Sequence, residues 1–123
     1  MKTIYSVIDV ETTGGKSSNN RITEIAIVKT DGYKIIEKYS TLVNPHRYID
    51  KFVVKLTGIT DKMVADAPDF PDLIAEIDAF TKDTIFVAHN VAFDYSVINK
   101  EYKLANKVFK KIKYVLFSFQ ERH

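Results

Sequence analysis

Apolar and polar positions alternate in the first third of the chain and shift to helical spacing later. Residues 4–10 (Ile-Tyr-Ser-Val-Ile-Asp-Val) are a mostly apolar run that reads as a strand from a sheet core. A polar loop, Lys16-Ser17-Ser18-Asn19-Asn20, separates it from a second strand over 22–29. Asp31-Gly32 is a hairpin turn signal, and a third strand over 34–43 ends at Asn44-Pro45. The chain therefore opens as a three-stranded antiparallel meander. Residues 48–68 read as short helical pieces broken at Thr57-Gly58-Ile59-Thr60, with Thr60 an N-cap for a turn over 61–64. Asp69 caps a clearer helix. Pro71 sits in its first turn, and Leu73, Ile74, Ile77 and Phe80 form its apolar face. Residues 84–88 form a short buried strand, and 92–104 a helix with Tyr95, Ile98 and Tyr102 on one stripe. Beyond this the pattern fails. Residues 110–113 are basic, and 114–119 could be a strand that nothing follows to cover.

A strand–helix–strand order after an antiparallel meander is an α/β arrangement: a mixed sheet, the meander plus a parallel strand, with flanking helices. Functional residues are expected where strand ends converge, which sets Asp9 and Glu11 beside the end of strand 84–88. The 123 residues suffice for one domain, 1–123, with no repeat or linker. There is no cysteine, which excludes disulfides, thiolate zinc sites and a thiol nucleophile. No apolar run reaches membrane-spanning length and the first residues enter a strand at once, so a cytoplasmic protein without a signal peptide or membrane association is expected. Net charge is +2, but residues 100–123 hold seven Lys/Arg against Glu101 and Glu121. Such a run is either a solvated face or a phosphate contact.

Candidate chemistry starts at Ile8-Asp9-Val10-Glu11-Thr12-Thr13-Gly14. Strand side chains alternate, so Asp9 and Glu11 point to one face. Two carboxylates there raise one another's pKa unless a cation lies between them. Oxygen-only ligands suit Mg²⁺ or Mn²⁺. Thr12, Thr13, Gly14 and Gly15 then turn the backbone, which can approach a ligand closely. A second cluster, His89-Asn90-Val91-Ala92-Phe93-Asp94, places a third carboxylate at the start of a helix, where an acid is also favoured simply by the helix end. His89 alone reads as structural, and Asn90 alone as a partner for loop backbone.

Taken together these segments resemble the DEDD 3′→5′ exonucleases of the DEDDh type. Asp9-Val-Glu-Thr-Thr-Gly14 is similar to their first motif and His89-Asn-Val-Ala-Phe-Asp94 to their second. Ile22-Thr-Glu-Ile-Ala-Ile-Val28 resembles their second strand. Leu56-Thr-Gly-Ile-Thr60, with Met63 and Ala67-Pro68-Asp-Phe70, resembles the segment flanking the DNA end. The family includes the proofreading subunit of bacterial DNA polymerase III and domains fused to GIY-YIG nucleases. The resemblance implies a ribonuclease H-like fold and hydrolysis of phosphodiester bonds at single-stranded 3′ ends, DNA in preference to RNA, with a DNA polymerase subunit as a candidate partner. It implies that Asp9, Glu11 and Asp94 are the catalytic and metal-binding carboxylates for two Mg²⁺ or Mn²⁺ ions. It implies that the backbone around Thr12, Thr13 and Gly14 holds the terminal nucleotide, that His89, Asn90 and Phe93 line the substrate groove, and that Ile59 packs near the terminal base. Phe93 and Ile59 read equally well as core. Glu24 reads as a surface or salt-bridge residue and is left out of the site.

The family's third motif, His-x-x-x-x-Asp in a late helix, supplies a general base and a further metal ligand. It has no counterpart here. His46 lies in a loop, His89 belongs to the second motif and His123 is the last residue. Relatives continue with a strand resembling Cys-Thr-Val-x-x-Ser-Arg-Lys, which a shifted reading frame over 113–123 can produce after the lysine-rich 110–113. The expectation is a fold incomplete at its C-terminus, with 105–123 an aberrant tail left by a frameshift, and a weak or inactive enzyme. The alternative is a catalytically inactive module that binds nucleic acid or a polymerase.

Overall fold

Alternation and turn chemistry build one mixed sheet. The computed structural model describes residues 2–14, 19–88 and 90–111. Its strands are β1 (Tyr5–Thr12), β2 (Ile22–Thr30), β3 (Ile35–Leu42) and β4 (Ile85–Ala88), and its helices are α1 (Lys51–Thr57), α2 (Asp61–Val64), α3 (Phe70–Phe80) and α4 (Val91–Leu104). The sheet order is β3-β2-β1-β4, antiparallel within the meander and parallel between β1 and β4. This is the architecture expected from sequence. Strand β1 runs two residues further than the apolar run indicated, so Glu11 and Thr12 remain in the ladder opposite Glu24 and Ile22. The expected strand over 114–119 and the residue His89 lie outside the described residues.

Period-two alternation assigns the two sheet faces. Ile8 and Val10 of β1, Ile25 and Ile27 of β2 and Phe86 and Ala88 of β4 are buried against Leu73, Ile74 and Ile77 of α3 and Val97, Ile98 and Tyr102 of α4. Burial of each such large side chain contributes on the order of 1.5–3 kcal/mol. Phe109 joins them, with its ring centroid 5.4 Å from Phe86 and 4.9 Å from Tyr102. It lies in the stretch the sequence pattern set aside as tail. A lone aromatic among lysines carries no periodic signal, and only the tertiary pocket shows what it fills. Residues 112–123 lie outside the described residues.

Two of the four helix starts follow local capping rules, and the other two, at Asp69 and Asn90, lack a side-chain cap bond. Thr60 accepts from the Met63 N–H at 3.2 Å and Asp50 from the Phe52 N–H at 2.9 Å. Asp69 occupies the N-cap position of α3 as expected but makes no capping bond; its Oδ1 lies 2.7 Å from His46 Nε2 instead. Asn44 and Asp69 form a parallel bridge, so the His46 loop lies within reach of that carboxylate.

One buried ion pair ties α4 to the meander. Glu101 is 2% exposed. It accepts from Arg21 Nε and Nη2, both at 3.0 Å, and from the Ile22 N–H at 3.0 Å. The fork geometry satisfies both carboxylate oxygens and an otherwise unpaired backbone donor at the start of β2. Among the described residues no helix is long and apolar enough to cross a membrane.

Removing one member of a buried pair leaves the other uncompensated. Arg21→Ala is expected to lower unfolding free energy by about 3 kcal/mol. Lys2→Ala, which breaks the surface pair with Asp31, should leave it nearly unchanged. Urea denaturation of the two variants checks the contrast.

Candidate functional site

The face of β1 turned away from the core carries the acids. Ile8, Val10 and Thr12 are buried, whereas Asp9 is exposed and Glu11 half-buried. The register sets Asp9 opposite Ala26 and Glu11 directly opposite Glu24, so three carboxylates share one face near the strand ends. The Glu11 carboxyl titrates above the usual glutamate range. Its partial burial raises it first, then the charge of Asp9, then that of Glu24. A raised pKa in the folded state favours folding at pH below the group's ordinary value. That contribution is lost as pH rises through the raised value, when three negative groups crowd together.

The turn after β1 is fixed by its own threonines. The Thr13 N–H donates to the Arg21 carbonyl at 2.9 Å and the Arg21 N–H to Thr13 Oγ1 at 3.2 Å. The Gly14 N–H donates to Thr12 Oγ1 at 3.3 Å, and the Asp50 N–H to the Thr13 carbonyl at 2.9 Å. Thr12 and Thr13 are both buried, and their hydroxyls serve the loop backbone. Gly14 has φ +88°, and a Cβ there would stand 2.3 Å from Val53 Cγ2 and 3.2 Å from Asp50 Cβ. Glycine is therefore required twice over, for conformation and for the close approach of α1.

Asp94 enters from the first turn of α4. It is 2% exposed. Its Oδ2 accepts from the Asn90 N–H at 3.2 Å, and its own N–H donates to the Asn90 carbonyl at 2.8 Å. The helix-end role weighed from sequence is thus present. Asn90, Phe93, Ser96 and Lys100 line a cleft of about 310 Å³, and Phe93 is partly open to it. Ile59 is 6% exposed and packs with Ile49 and Val64 in a small second core, which is its packing reading.

The structure brings Asp9 and Glu11 together with Glu24, which the sequence reading left out. The loop between β1 and β2 is too long for its turn residues to fix the register, so only the fold reveals the pairing. Among the described residues no three acidic or histidine side chains are grouped closely enough to form a ready metal cage. The donor chemistry nevertheless fits a hard divalent cation. The carboxylates of Asp9, Glu11 and Glu24 share one face of the sheet, and the Glu11 carboxyl is raised by its partial burial and then by the charges of Asp9 and Glu24.

The family model RNase_T, described as Exonuclease, matches residues 6–120. The PolC-type DNA polymerase III of Bacillus subtilis (strain 168) is 46% identical over 99 residues, which is 80% of this chain and 7% of that protein. The PolC-type polymerase of Staphylococcus aureus (strain bovine RF122 / ET3-1) is 41% identical over the same length, so the chain spans about 7% of these relatives. Among solved structures, exonuclease I of E. coli in complex with a dT13 oligonucleotide superposes with a TM-score of 0.77 at 21% identity, covering 87% of this chain and 25% of that one. Exonuclease X in complex with 5′ overhanging duplex DNA gives 0.65 at 36% identity, covering 76% of this chain and 52% of that one. The mixed sheet with its helices is thus the ribonuclease H-like exonuclease fold.

Glu24→Gln removes one of the charges acting on Glu11. The Glu11 carboxyl should titrate closer to its ordinary value in that variant, and further down again when Asp9→Asn is added. Carboxyl-carbon NMR titration reads both steps, and an unmoved Glu11 would contradict the electrostatic account. Gly14→Ala should cost more than about 1 kcal/mol, because the new methyl meets Val53 and φ is positive. Thermal unfolding checks it.

Proposed function

This chain belongs to the RNase_T family of exonucleases, and on that premise we propose that it is a metal-dependent 3′→5′ exonuclease domain. Its substrate is the 3′ end of single-stranded DNA, and its setting is the cytoplasm beside a DNA polymerase. The observation that carries this reading is the acid face, with Asp9 and Glu11 at the end of β1 where β4 ends beside them. Likeness to PolC-type polymerases and to exonucleases I and X, solved with DNA, supports the choice of substrate and partner.

Asp9, Glu11 and Asp94 would hold two Mg²⁺ or Mn²⁺ ions. Such ions, when bound, supply a Lewis acid at the scissile phosphate and an activated water. The remaining tasks fall to the chain. The loop of Thr12, Thr13 and Gly14, pinned by Arg21 and Asp50, offers rigid backbone to the terminal nucleotide. Asn90 and Phe93, with His89 ahead of them, flank the strand. Ile59 supports the adjoining segment from within the small core. A hydrogen bond from the Asn90 N–H keeps Asp94 oriented, and binding of a cation would compete for the same oxygen.

These 123 residues hold no His-x-x-x-x-Asp segment after the second motif. A positioned general base contributes ~10²–10⁴-fold, so this chain alone should shorten DNA at least about 10²-fold more slowly than a family member with the late histidine. A second reading of the same acid face is a module that binds metal and 3′ ends without cutting. Incubation of a 5′-labelled single strand with Mn²⁺ separates the two. Slow shortening from the 3′ end that Asp9→Ala abolishes supports the exonuclease; binding without shortening supports the module.

Metal should also stabilise the fold. At neutral pH millimolar Mg²⁺ or Mn²⁺ is expected to raise the melting temperature. The shift should shrink as pH falls and Glu11 takes up its proton, and it should be smaller in Asp9→Asn. Scanning fluorimetry across pH measures it; an equal shift in wild type and Asp9→Asn would contradict the assignment.

A further inference from the structure

We infer that Arg21 and Glu101 are positioning residues, whose buried pair sets where α4 holds Asp94 relative to the acids of β1. This rests on the metal-dependent exonuclease reading and names what gives its centre its spacing. Asp94 and Glu101 are two turns apart on α4, so they share one helix face, and both are 2% exposed. Val97 and Ile98 lie between them on that face and belong to the core. At its start α4 is joined to β4 through Asn90, whose N–H also donates to Asp94 Oδ2 at 3.2 Å. About 10 Å further along the axis, Glu101 binds Arg21 and Ile22, and Lys100 Nζ donates to the Asn20 carbonyl at 3.0 Å.

Apolar burial is non-directional, so Val97 and Ile98 by themselves tolerate a small rotation of α4 about its axis. A rotation of about 15° carries a group about 5 Å from the axis through more than about 1 Å. That matters at a metal centre, where carboxylate–Mg²⁺ bonds are about 2.1 Å long and near-ideal geometry is required. The Arg21 fork is directional. Its two N–H donors and the Ile22 N–H, all at 3.0 Å, fix both oxygens of Glu101 and with them the rotation of the helix. Arg21 also closes the loop after β1 through Thr13, two residues beyond Glu11. The bonds that stop α4 from turning therefore end beside the acids that Asp94 must face. Tyr102 Oη, which donates to Asp78 at 2.8 Å, ties α4 to α3 and not to this loop. Burying a carboxylate costs desolvation that an apolar side chain of similar volume would avoid, so what Glu101 contributes is geometry.

The test is Mn²⁺ titration of the full chain, followed by electron paramagnetic resonance at neutral pH and at a temperature where circular dichroism shows each variant folded. Arg21→Ala and Glu101→Gln should each bind Mn²⁺ about tenfold more weakly than the wild type. Arg21→Lys, which keeps one donor to Glu101, should recover part of the loss. Ile77→Ala, in the core and away from the pair, should lower stability and leave Mn²⁺ affinity unchanged. An equal loss of affinity in Ile77→Ala means that binding merely follows stability, and it overturns the positioning role. Wild-type affinity in Glu101→Gln overturns it too, and that variant decides where Arg21→Ala does not fold. So does a wild-type chain that binds no Mn²⁺. If the pair variants keep their affinity while Asp9→Ala abolishes shortening, the positioning role fails and the exonuclease stands. If they lose affinity while no metal supports shortening of a single strand, the positioning role stands and the exonuclease reading fails.

Discussion

The parallel pairing of β1 with β4 is the constraint on which the site depends. Ile8 stands beside Ala88, so the acids that follow Ile8 and the helix that follows β4 begin at the same end of the sheet. A parallel neighbour requires a crossover, here the segment through α1, α2 and α3, and that crossover covers the inner face with apolar side chains. The outer end of β1 is then free for polar groups. Slipping the β1–β4 register by a single residue would turn Asp9 and Glu11 into the core and Ile8 and Val10 into water, which the buried set Ile8, Val10, Phe86 and Ala88 forbids. The hydrophobic core thus fixes where the carboxylates point.

Within that frame the motif loop is held from both sides. Arg21 is shared: its backbone closes the Thr13 turn, and its guanidinium carries the buried bond to Glu101 of α4. On the other side Gly14 admits Val53 of α1 at a distance no side chain would allow. The threonines spend their hydroxyls on local backbone, so the loop owes its shape to hydrogen bonds inside the protein and can stay rigid whether or not a ligand is present.

Local physics made much of this legible in the sequence. Alternation marked the strands, Thr60 marked the start of α2, and the two-residue spacing of Asp9 and Glu11 put them on one face before any fold was known. What stayed hidden depends on distant partners. Glu24 reads as a surface or salt-bridge residue because its place opposite Glu11 follows from a register that the long loop after β1 does not specify. Asp69 has the residue type and position of a cap, yet His46 takes its oxygen across a tertiary contact. Phe109 sits among lysines with no periodicity and is buried only because Phe86 and Tyr102 leave room for its ring. Asp94 was legible as an acid at a helix start, but its burial and its bond to the Asn90 backbone were not.

The charge distribution carries the remaining step. A face that gathers Asp9, Glu11 and Glu24 repels a polyanion, and the Glu11 carboxyl is raised by its partial burial and then by the charges of Asp9 and Glu24. Such a centre can receive a phosphodiester only when cations stand between them, so affinity for the rest of a strand must come from groups that do not share the acids' field.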